Sequence, residues 1–190
     1  MIDLKPACSG TIELLRGFAD EQLPNPTPCT EYTVGDLVEH LDVVALGFAD
    51  VARNDGGVAT APSGERRGDG WREDVVQHVR SLGEAWDDPA AWRGRTTATE
   101  LDLPNELWGR IALTEVVVHG WDLARATDQS FDLPEETLRA CLEHVTEFLP
   151  NAPVEELWGP AVEVPDDAPL IDQVVAATGR ASQRGRSGAM

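Results

Sequence analysis

The sequence has few cysteines, a single lysine and no long apolar run, and each scarcity excludes a class of protein. Cys8, Cys29 and Cys141 are an odd number without a Cys-x-x-Cys spacing, which argues against a disulfide framework and against a zinc site built of thiolates. No segment is apolar for long enough to cross a bilayer, and the N-terminus does not have the basic-then-apolar layout of a signal peptide. We therefore expect a protein of the reducing cytoplasm.

Positive charge is scarce as well. The 190 residues carry 34 acidic against 15 basic side chains, a formal net charge of −19. Such an excess of negative charge repels nucleic-acid backbones and anionic lipids, so nucleic-acid binding and membrane binding are disfavoured. The length allows one domain with a substantial core, and 42% hydrophobic residues are typical of a globular protein.

Apolar residues recur at helical spacing along most of the chain. Several residues also mark helix ends: Thr33 and Asp36 form a capping-box pattern, Pro104 and Pro134 suit a first turn, and Gly179 is a stop signal. Together these patterns predict helices over residues 3–20, 34–53, 71–86, 104–127, 134–149 and 168–179.

The predicted fold is all-α. Residues 54–70 are rich in glycine and charge and are expected to form a loop, and only residues 96–103 offer short extended segments. We predict an antiparallel four-helix bundle with an extra short C-terminal helix. Its domain is expected to span residues 1–180, and a disordered tail is expected at 181–190, with Arg180 at the boundary.

One predicted helix carries a carboxylate and an imidazole one turn apart in apolar surroundings. Glu115 and His119 are neighbours at i and i+4 on a helix face, and Asp122 continues the column at i+7. A buried carboxylate and imidazole are costly unless they are paired or bound to something. A third ligand from another helix would complete a metal site, and the best candidate is His40, on the flank of the second helix's apolar stripe.

Two imidazoles and one carboxylate would leave a fourth position open, as in catalytic zinc sites. Asp122 would then hold the tautomer of a ligand histidine, or it would pair with Arg125. The alternative for Glu115 and His119 is an ordinary ion pair on a solvent-facing helix, worth a few tenths of a kcal/mol. The remaining histidines, His78 and His144, stand in settings that favour a structural role.

Two segments resemble motifs of a known family. Residues 27–41 are similar to TPC-x-x-W-T-V-x-D-L-x-x-H-L, and residues 115–124 are similar to E-x-x-x-H-x-W-D-L-A. Both motifs belong to the DinB/YfiT-like metal-binding superfamily, in an actinobacterial group related to the N-terminal domain of mycothiol-dependent maleylpyruvate isomerase. Residues 157–165 and 178–180 resemble its closing segments. Tyr32 stands where the family often has tryptophan.

The resemblance implies a bundle that binds a divalent metal, usually zinc, through His40, Glu115 and His119, with Asp122 in support. Members with known chemistry use a low-molecular-weight thiol, such as mycothiol or bacillithiol, whose sulfur binds the metal. We therefore expect an S-transferase or isomerase-like enzyme that brings a small thiol to an electrophilic substrate. A metal-dependent hydrolase and a non-catalytic metal-binding or stress-related protein stay open as alternatives. A homodimer is common for bundles, although the sequence specifies no interface.

Four further residues are candidates for the surroundings of this site. Cys29 precedes the helix of His40, and three roles are considered for it: packing, a fourth metal ligand or a redox-sensitive thiol. Trp108, Trp121 and Trp158 are candidates for lining a cavity, although aromatic residues at helical spacing more often belong to a core.

Overall fold

A computed structural model describes residues 1–54, 68, 70–98, 100–148 and 158–181. Several predicted features lie outside this part of the chain: most of the loop at 54–70, the last residue of the fifth helix, residue 157 and the tail at 182–190. Among the described helices, none is both long enough and apolar enough to cross a bilayer.

Six α-helices, one short 3₁₀ helix at Asp20–Gln22 and one β-hairpin make up the regular structure of the described residues, and the predicted all-α fold is confirmed. In chain order the α-helices and strands are α1 Lys5–Gly17, α2 Val34–Arg53, α3 Trp71–Ala85, β1 Arg95–Ala98, β2 Leu101–Pro104, α4 Asn105–Thr127, α5 Glu135–Phe148 and α6 Leu170–Ala177. Helices α1 and α2 each pack against both α3 and α4, which closes a four-helix bundle. Helix α5 packs on the outside of α4 and supports the short α6.

Helix α2 begins and ends where local chemistry dictates. Thr33 Oγ1 accepts a hydrogen bond from the backbone of Asp36, and the Asp36 carboxylate accepts one from the Thr33 backbone, which completes the predicted capping box. The helix stops at Asn54, whose φ of 57° is left-handed. Between these ends the apolar face is buried, and His40 lies half-buried at its edge.

Helix α4 is the centre of the molecule. Every residue from 112 to 124 is buried, because α1 and α2 cover one side and α5 covers the other. Gly120 allows the chain after α4 to cross close by, since a Cβ there would lie 2.5 Å from the ring of Phe131. The three polar residues predicted for a site, Glu115, His119 and Asp122, therefore lie inside the protein.

The two strands form an antiparallel hairpin with Arg95 opposite Pro104 and Ala98 opposite Leu101. The indole Nε1 of Trp108 donates to the carbonyl of Thr96 at 2.9 Å, which fastens the hairpin to the start of α4. The extended segments predicted at 96–103 are thus present as one small sheet.

Candidate metal centre

Side chains from two neighbouring helices converge on one carboxylate oxygen. Nε2 of His40, from α2, lies 3.1 Å from Oε2 of Glu115, and Nε2 of His119 lies 3.3 Å from the same oxygen. One ligand atom from each residue falls within 4.8 Å of the other two. The structure therefore brings the three predicted side chains together, and their binding of a metal stays a prediction.

His119 faces a carboxylate with each of its ring nitrogens. Its Nε2 lies 3.3 Å from Oε2 of Glu115, and its Nδ1 lies 3.1 Å from Oδ2 of Asp122. The residue is 3% exposed, so both contacts lie in a largely buried environment. A neutral imidazole has a single N–H and cannot donate to both carboxylates. An imidazolium would bond to both carboxylates, and a neutral ring would leave its Nε2 lone pair free to bind a cation beside Glu115.

The contacts within this cluster shift the pKa values of Glu115 and His119 so that both favour their charged forms. Burial alone would raise the pKa of Glu115, but hydrogen bonds from His119 and His40 outweigh it and lower that pKa to about 2. Burial alone would lower the pKa of His119, but its bonds to Asp122 and Glu115 outweigh burial and raise it. Glu115 is therefore ionised at neutral pH, and a positive charge is required beside it.

The donor set fits a divalent cation such as zinc. Two imidazole nitrogens and one carboxylate oxygen are the ligands of catalytic zinc sites, with metal–ligand distances of about 2.0–2.2 Å. Tetrahedral geometry then separates neighbouring ligand atoms by about 3.3–3.5 Å, close to the 3.1 and 3.3 Å found between the imidazole nitrogens and Glu115. His40, Glu115 and His119 are accordingly the residues that could hold the ion.

Asp122 is held from behind by Arg180. Nη2 of Arg180 lies 2.9 Å from Oδ2 of Asp122, and its Nε lies 3.3 Å from Oδ1. The carboxylate is fully buried and the arginine nearly so, so each neutralises the other in a low-dielectric interior. Arg180 thus takes the place that was considered for Arg125 as the partner of Asp122.

Sequence reasoning had little chance of finding Arg180. It lies 58 residues from Asp122, and it follows Gly179, whose left-handed φ of 84° ends the last helical turn. The one available signal was the buried position of Asp122 itself, since a buried carboxylate demands a cationic partner.

A cavity of about 650 Å³ opens from the three side chains to the surface. Its walls come from residues 28–32, 158–160 and 178–180. The Trp158 ring lies 5.4 Å from His119, so this tryptophan lines the cavity as considered. The other two do not, because Trp108 and Trp121 are buried away from it.

Cys29 lies in the cavity wall. Its sulfur is within 4.8 Å of ligand atoms of His119 and Asp122, but it does not group with His40 and Glu115. Burial raises the pKa of the Cys29 thiol, and the charge of Arg180 opposes this rise without cancelling it. The thiol is thus protonated near neutral pH when no metal is bound.

The two remaining histidines lie elsewhere. Nδ1 of His78 in α3 is 2.6 Å from Oδ1 of Asp42 in α2, so its acidic partner is distant in sequence. His144 in α5 stacks on Phe148 with 4.9 Å between ring centroids. Burial, helped by the charge of Arg110, lowers the pKa of His144 to about 4.

The chain is similar to one known protein family and to two curated proteins. The family model of the mycothiol maleylpyruvate isomerase N-terminal domain matches residues 4–124. Two uncharacterized proteins from two strains of Mycobacterium tuberculosis are each 36% identical over 126 residues, which covers 65% of this chain. The chain spans about 64% of the length of these relatives.

A solved structure shares the fold. The crystal structure of a mutant of the mycothiol-dependent maleylpyruvate isomerase matches with a TM-score of 0.58 at 17% sequence identity, covering 75% of this chain and 66% of that one. The family match includes His40, Glu115, His119 and Asp122 but ends before the segment that supplies Trp158 and Arg180.

Proposed function

The chain belongs to the mycothiol maleylpyruvate isomerase N-terminal domain family, and we propose from this premise that it is a metal-dependent enzyme acting on a small thiol and an electrophile. The observation that carries the proposal is the meeting of His40, Glu115 and His119 on the floor of an open cavity. The reaction is an S-transfer or a thiol-assisted isomerisation.

A divalent cation at this site, zinc by the chemistry of the donors, would favour the ionised form of a bound thiol at neutral pH. His40 and His119 would offer their Nε2 lone pairs to it, and Glu115 its negative oxygen. Asp122 accepts the Nδ1–H of His119, which keeps the Nε2 lone pair directed at the site. The ion pair with Arg180 lowers the proton affinity of Asp122, so the proton stays on Nδ1 of His119.

The cavity supports a thiol substrate. Its volume of about 650 Å³ falls within the range of about 300–1,000 Å³ that small-molecule sites occupy. Tyr32 and Trp158 flank the imidazoles, where they restrict water and orient a ligand. Mycothiol is our candidate cosubstrate, because the matching family is named after it and the structurally similar isomerase is mycothiol-dependent.

The open cavity favours an enzyme over a non-catalytic centre. A non-catalytic centre is typically closed by a fourth protein ligand, which does not account for the large space bounded by Pro28, Trp158 and Pro160. A hydrolase would use the same space for its own substrate, and the family match is what favours thiol chemistry over hydrolysis.

The first test is the metal content of purified protein, measured by elemental analysis. We expect near-stoichiometric zinc in the wild type, and loss of that zinc in His119→Ala because two ligands alone hold the ion too weakly. His78→Ala is the matched control, since His78 pairs with Asp42 away from the cavity. A wild type that takes up no divalent metal when supplied with it contradicts the proposal.

The second test is consumption of mycothiol with three electrophiles that each carry a phenyl group: styrene oxide, benzylideneacetone and benzyl bromide. We expect thioether formation to fall to the uncatalysed rate when the metal is removed with a chelator, and to return when zinc is restored. Rates that do not respond to metal removal would show that the centre is not part of the chemistry.

A further inference from the structure

The only tyrosine of the chain, Tyr32, stands at the candidate centre. Its ring lies 5.3 Å from that of His40 and 6.4 Å from that of His119, measured between centroids. It lines the same cavity as both imidazoles and is half-buried there. The side chain of Tyr32 therefore belongs to the surroundings of anything bound at the site.

The backbone around Tyr32 is fixed on both sides. Its N–H donates to the carbonyl of Cys29 at 2.8 Å, and its own carbonyl accepts from Oγ1 of Thr27 at 2.8 Å. The next residue, Thr33, is the N-cap of α2. Side chains held by such turns are positioned in advance, which lowers the entropy cost of using them to bind a ligand.

The hydroxyl of Tyr32 is a donor without a protein acceptor among the described residues. The two charged groups Arg180 and Glu115 are already engaged, because Arg180 is bonded to Asp122 and to the carbonyl of Thr178, and Glu115 contacts the two imidazoles. A phenylalanine would pack against the imidazoles equally well. The oxygen thus adds a hydrogen-bond donor that only a ligand or water can use.

Building on the proposed function, we propose that the Tyr32 hydroxyl selects the electrophile by donating a hydrogen bond to its oxygen. The substrate class is then an oxygen electrophile, one in which an oxygen atom takes up an electron pair as the C–S bond forms. Epoxides and α,β-unsaturated carbonyl compounds share this chemistry, and alkyl halides do not.

The bonds balance in both cases without an oxidant or a reductant. With an epoxide, the sulfur forms a C–S bond, the ring C–O bond breaks, and its electron pair remains on the oxygen beside the Tyr32 hydroxyl. The proton lost when the thiol ionised returns through solvent to give a β-hydroxy thioether. With an unsaturated carbonyl compound, the pair moves to the carbonyl oxygen as an enolate, and the α-carbon then takes the proton. With an alkyl halide, the pair leaves with the halide.

The test compares Tyr32→Phe with the wild type on mycothiol and the three phenyl electrophiles. A hydrogen bond to a charged oxygen is worth enough to change kcat/KM by roughly tenfold to a hundredfold. We expect that loss, mainly in kcat, for styrene oxide or benzylideneacetone, and a change below about twofold for benzyl bromide. The electrophile that shows the loss identifies which of the two oxygen sources the enzyme uses.

A binding measurement accompanies the kinetics. The β-hydroxy thioether made from mycothiol and styrene oxide is stable, and calorimetry should show that Tyr32→Phe binds it several-fold more weakly than the wild type does. The benzyl thioether, which has no such hydroxyl, should bind both proteins alike. Zinc content measured in both proteins checks that the centre is intact.

The outcomes separate the two proposals. A wild type that turns over at least one electrophile, together with a variant that loses equally on all three or on none, overturns the role of Tyr32 and leaves the proposed function standing. A wild type that is inactive with all three overturns both.

Discussion

His119 presents both ring nitrogens to carboxylates, and the two carboxylates have different roles. Glu115 shares its oxygen with His40 and faces the cavity, whereas Asp122 is fully buried and tied to Arg180. A buried ion pair of this kind orients the imidazole more than it stabilises the fold, because desolvation offsets much of the attraction. Asp122 is therefore a positioning residue for His119.

We expect Asp122→Asn to weaken zinc binding by about 10- to 100-fold, the usual cost of losing a carboxylate behind a ligand histidine. The amide keeps the shape of the side chain but accepts a weaker hydrogen bond from Nδ1 of His119. Competition with a chromogenic chelator measures the affinity. Asp42→Asn is the control, because it alters a carboxylate that contacts His78 instead. Equal zinc affinities of the Asp122 variant and the wild type would contradict this role.

At the scale of residues, spacing and burial in the sequence located part of the site. Glu115 and His119 are adjacent because four residues make one helical turn, and their apolar neighbours indicated that the pair is buried. His40 was placed by its position beside an apolar stripe. Arg180 was missed, since no local pattern connects it to a carboxylate 58 residues away.

Helices were predicted closely where side chains at their ends form local hydrogen bonds. The bounds of α2 match the predicted 34–53, because the capping box at its start and the glycine-rich loop after its end are both visible in the sequence. The last helix was predicted over 168–179 but forms only at Leu170–Ala177, with Pro169 as its N-cap. Strands of four residues are too short to give an alternating pattern, so the hairpin was visible only as extended possibilities.

The contact between α4 and α5 makes stability depend on pH through His144. The folded protein keeps this residue neutral down to about pH 4, whereas the unfolded chain protonates it near 6.5. The unfolded state therefore binds more protons between these values, so stability present above pH 6.5 is lost as the pH falls towards 4. A shift of this size corresponds to about 3 kcal/mol.

Urea unfolding at pH 7.5 and at pH 4.5 measures this contribution when the wild type is compared with His144→Gln. We expect the wild type to lose about 2–3 kcal/mol more than the variant over this interval. Losses of equal size in the two proteins would show that His144 is not the titrating group.

The segment that precedes α6 and the residues that follow it approach each other closely at Gly159 and Gly179. A Cβ at Gly179, whose φ is +84°, would lie 2.7 Å from backbone atoms of Gly159. We expect Gly179→Ala to lower the free energy of unfolding by about 1–3 kcal/mol. Alanine is strained at this φ, and its Cβ would collide with backbone atoms, which cannot move aside as a flexible side chain can. The control is Gly47→Ala in α2, where a Cβ meets nothing within 4 Å and helix propensity predicts a gain of up to about 1 kcal/mol.

Thermal unfolding of both glycine variants measures the difference. Because Trp158 and Arg180 flank the two glycines, the same samples should show weaker mycothiol binding for Gly179→Ala and unchanged binding for Gly47→Ala. Equal stability of the two variants would mean that the close approach of Gly159 and Gly179 does not hold this segment.

At the scale of the whole molecule, the site is built from two parts of the chain. The segment matched by the family model supplies His40, Glu115 and His119, and the later segment at 158–180 supplies part of the cavity wall. The bundle alone thus supplies the three side chains of the candidate metal centre, and residues 158–160 and 178–180 help to shape the cavity beside it. The chain has a formal net charge of −19, which disfavours polyanionic ligands but does not otherwise constrain the ligand of this site.

Anomalous diffraction at the zinc edge, from crystals grown with zinc, tests the central claim most directly. Our account predicts one strong peak at about 2.0–2.2 Å from Nε2 of His40, Nε2 of His119 and a carboxylate oxygen of Glu115. The contradictory result is an ordered site in which the two imidazoles hydrogen-bond to Glu115 and no anomalous peak lies between them. Glu115 and His119 would then be a buried ion pair, and the proposed enzyme would have no metal centre.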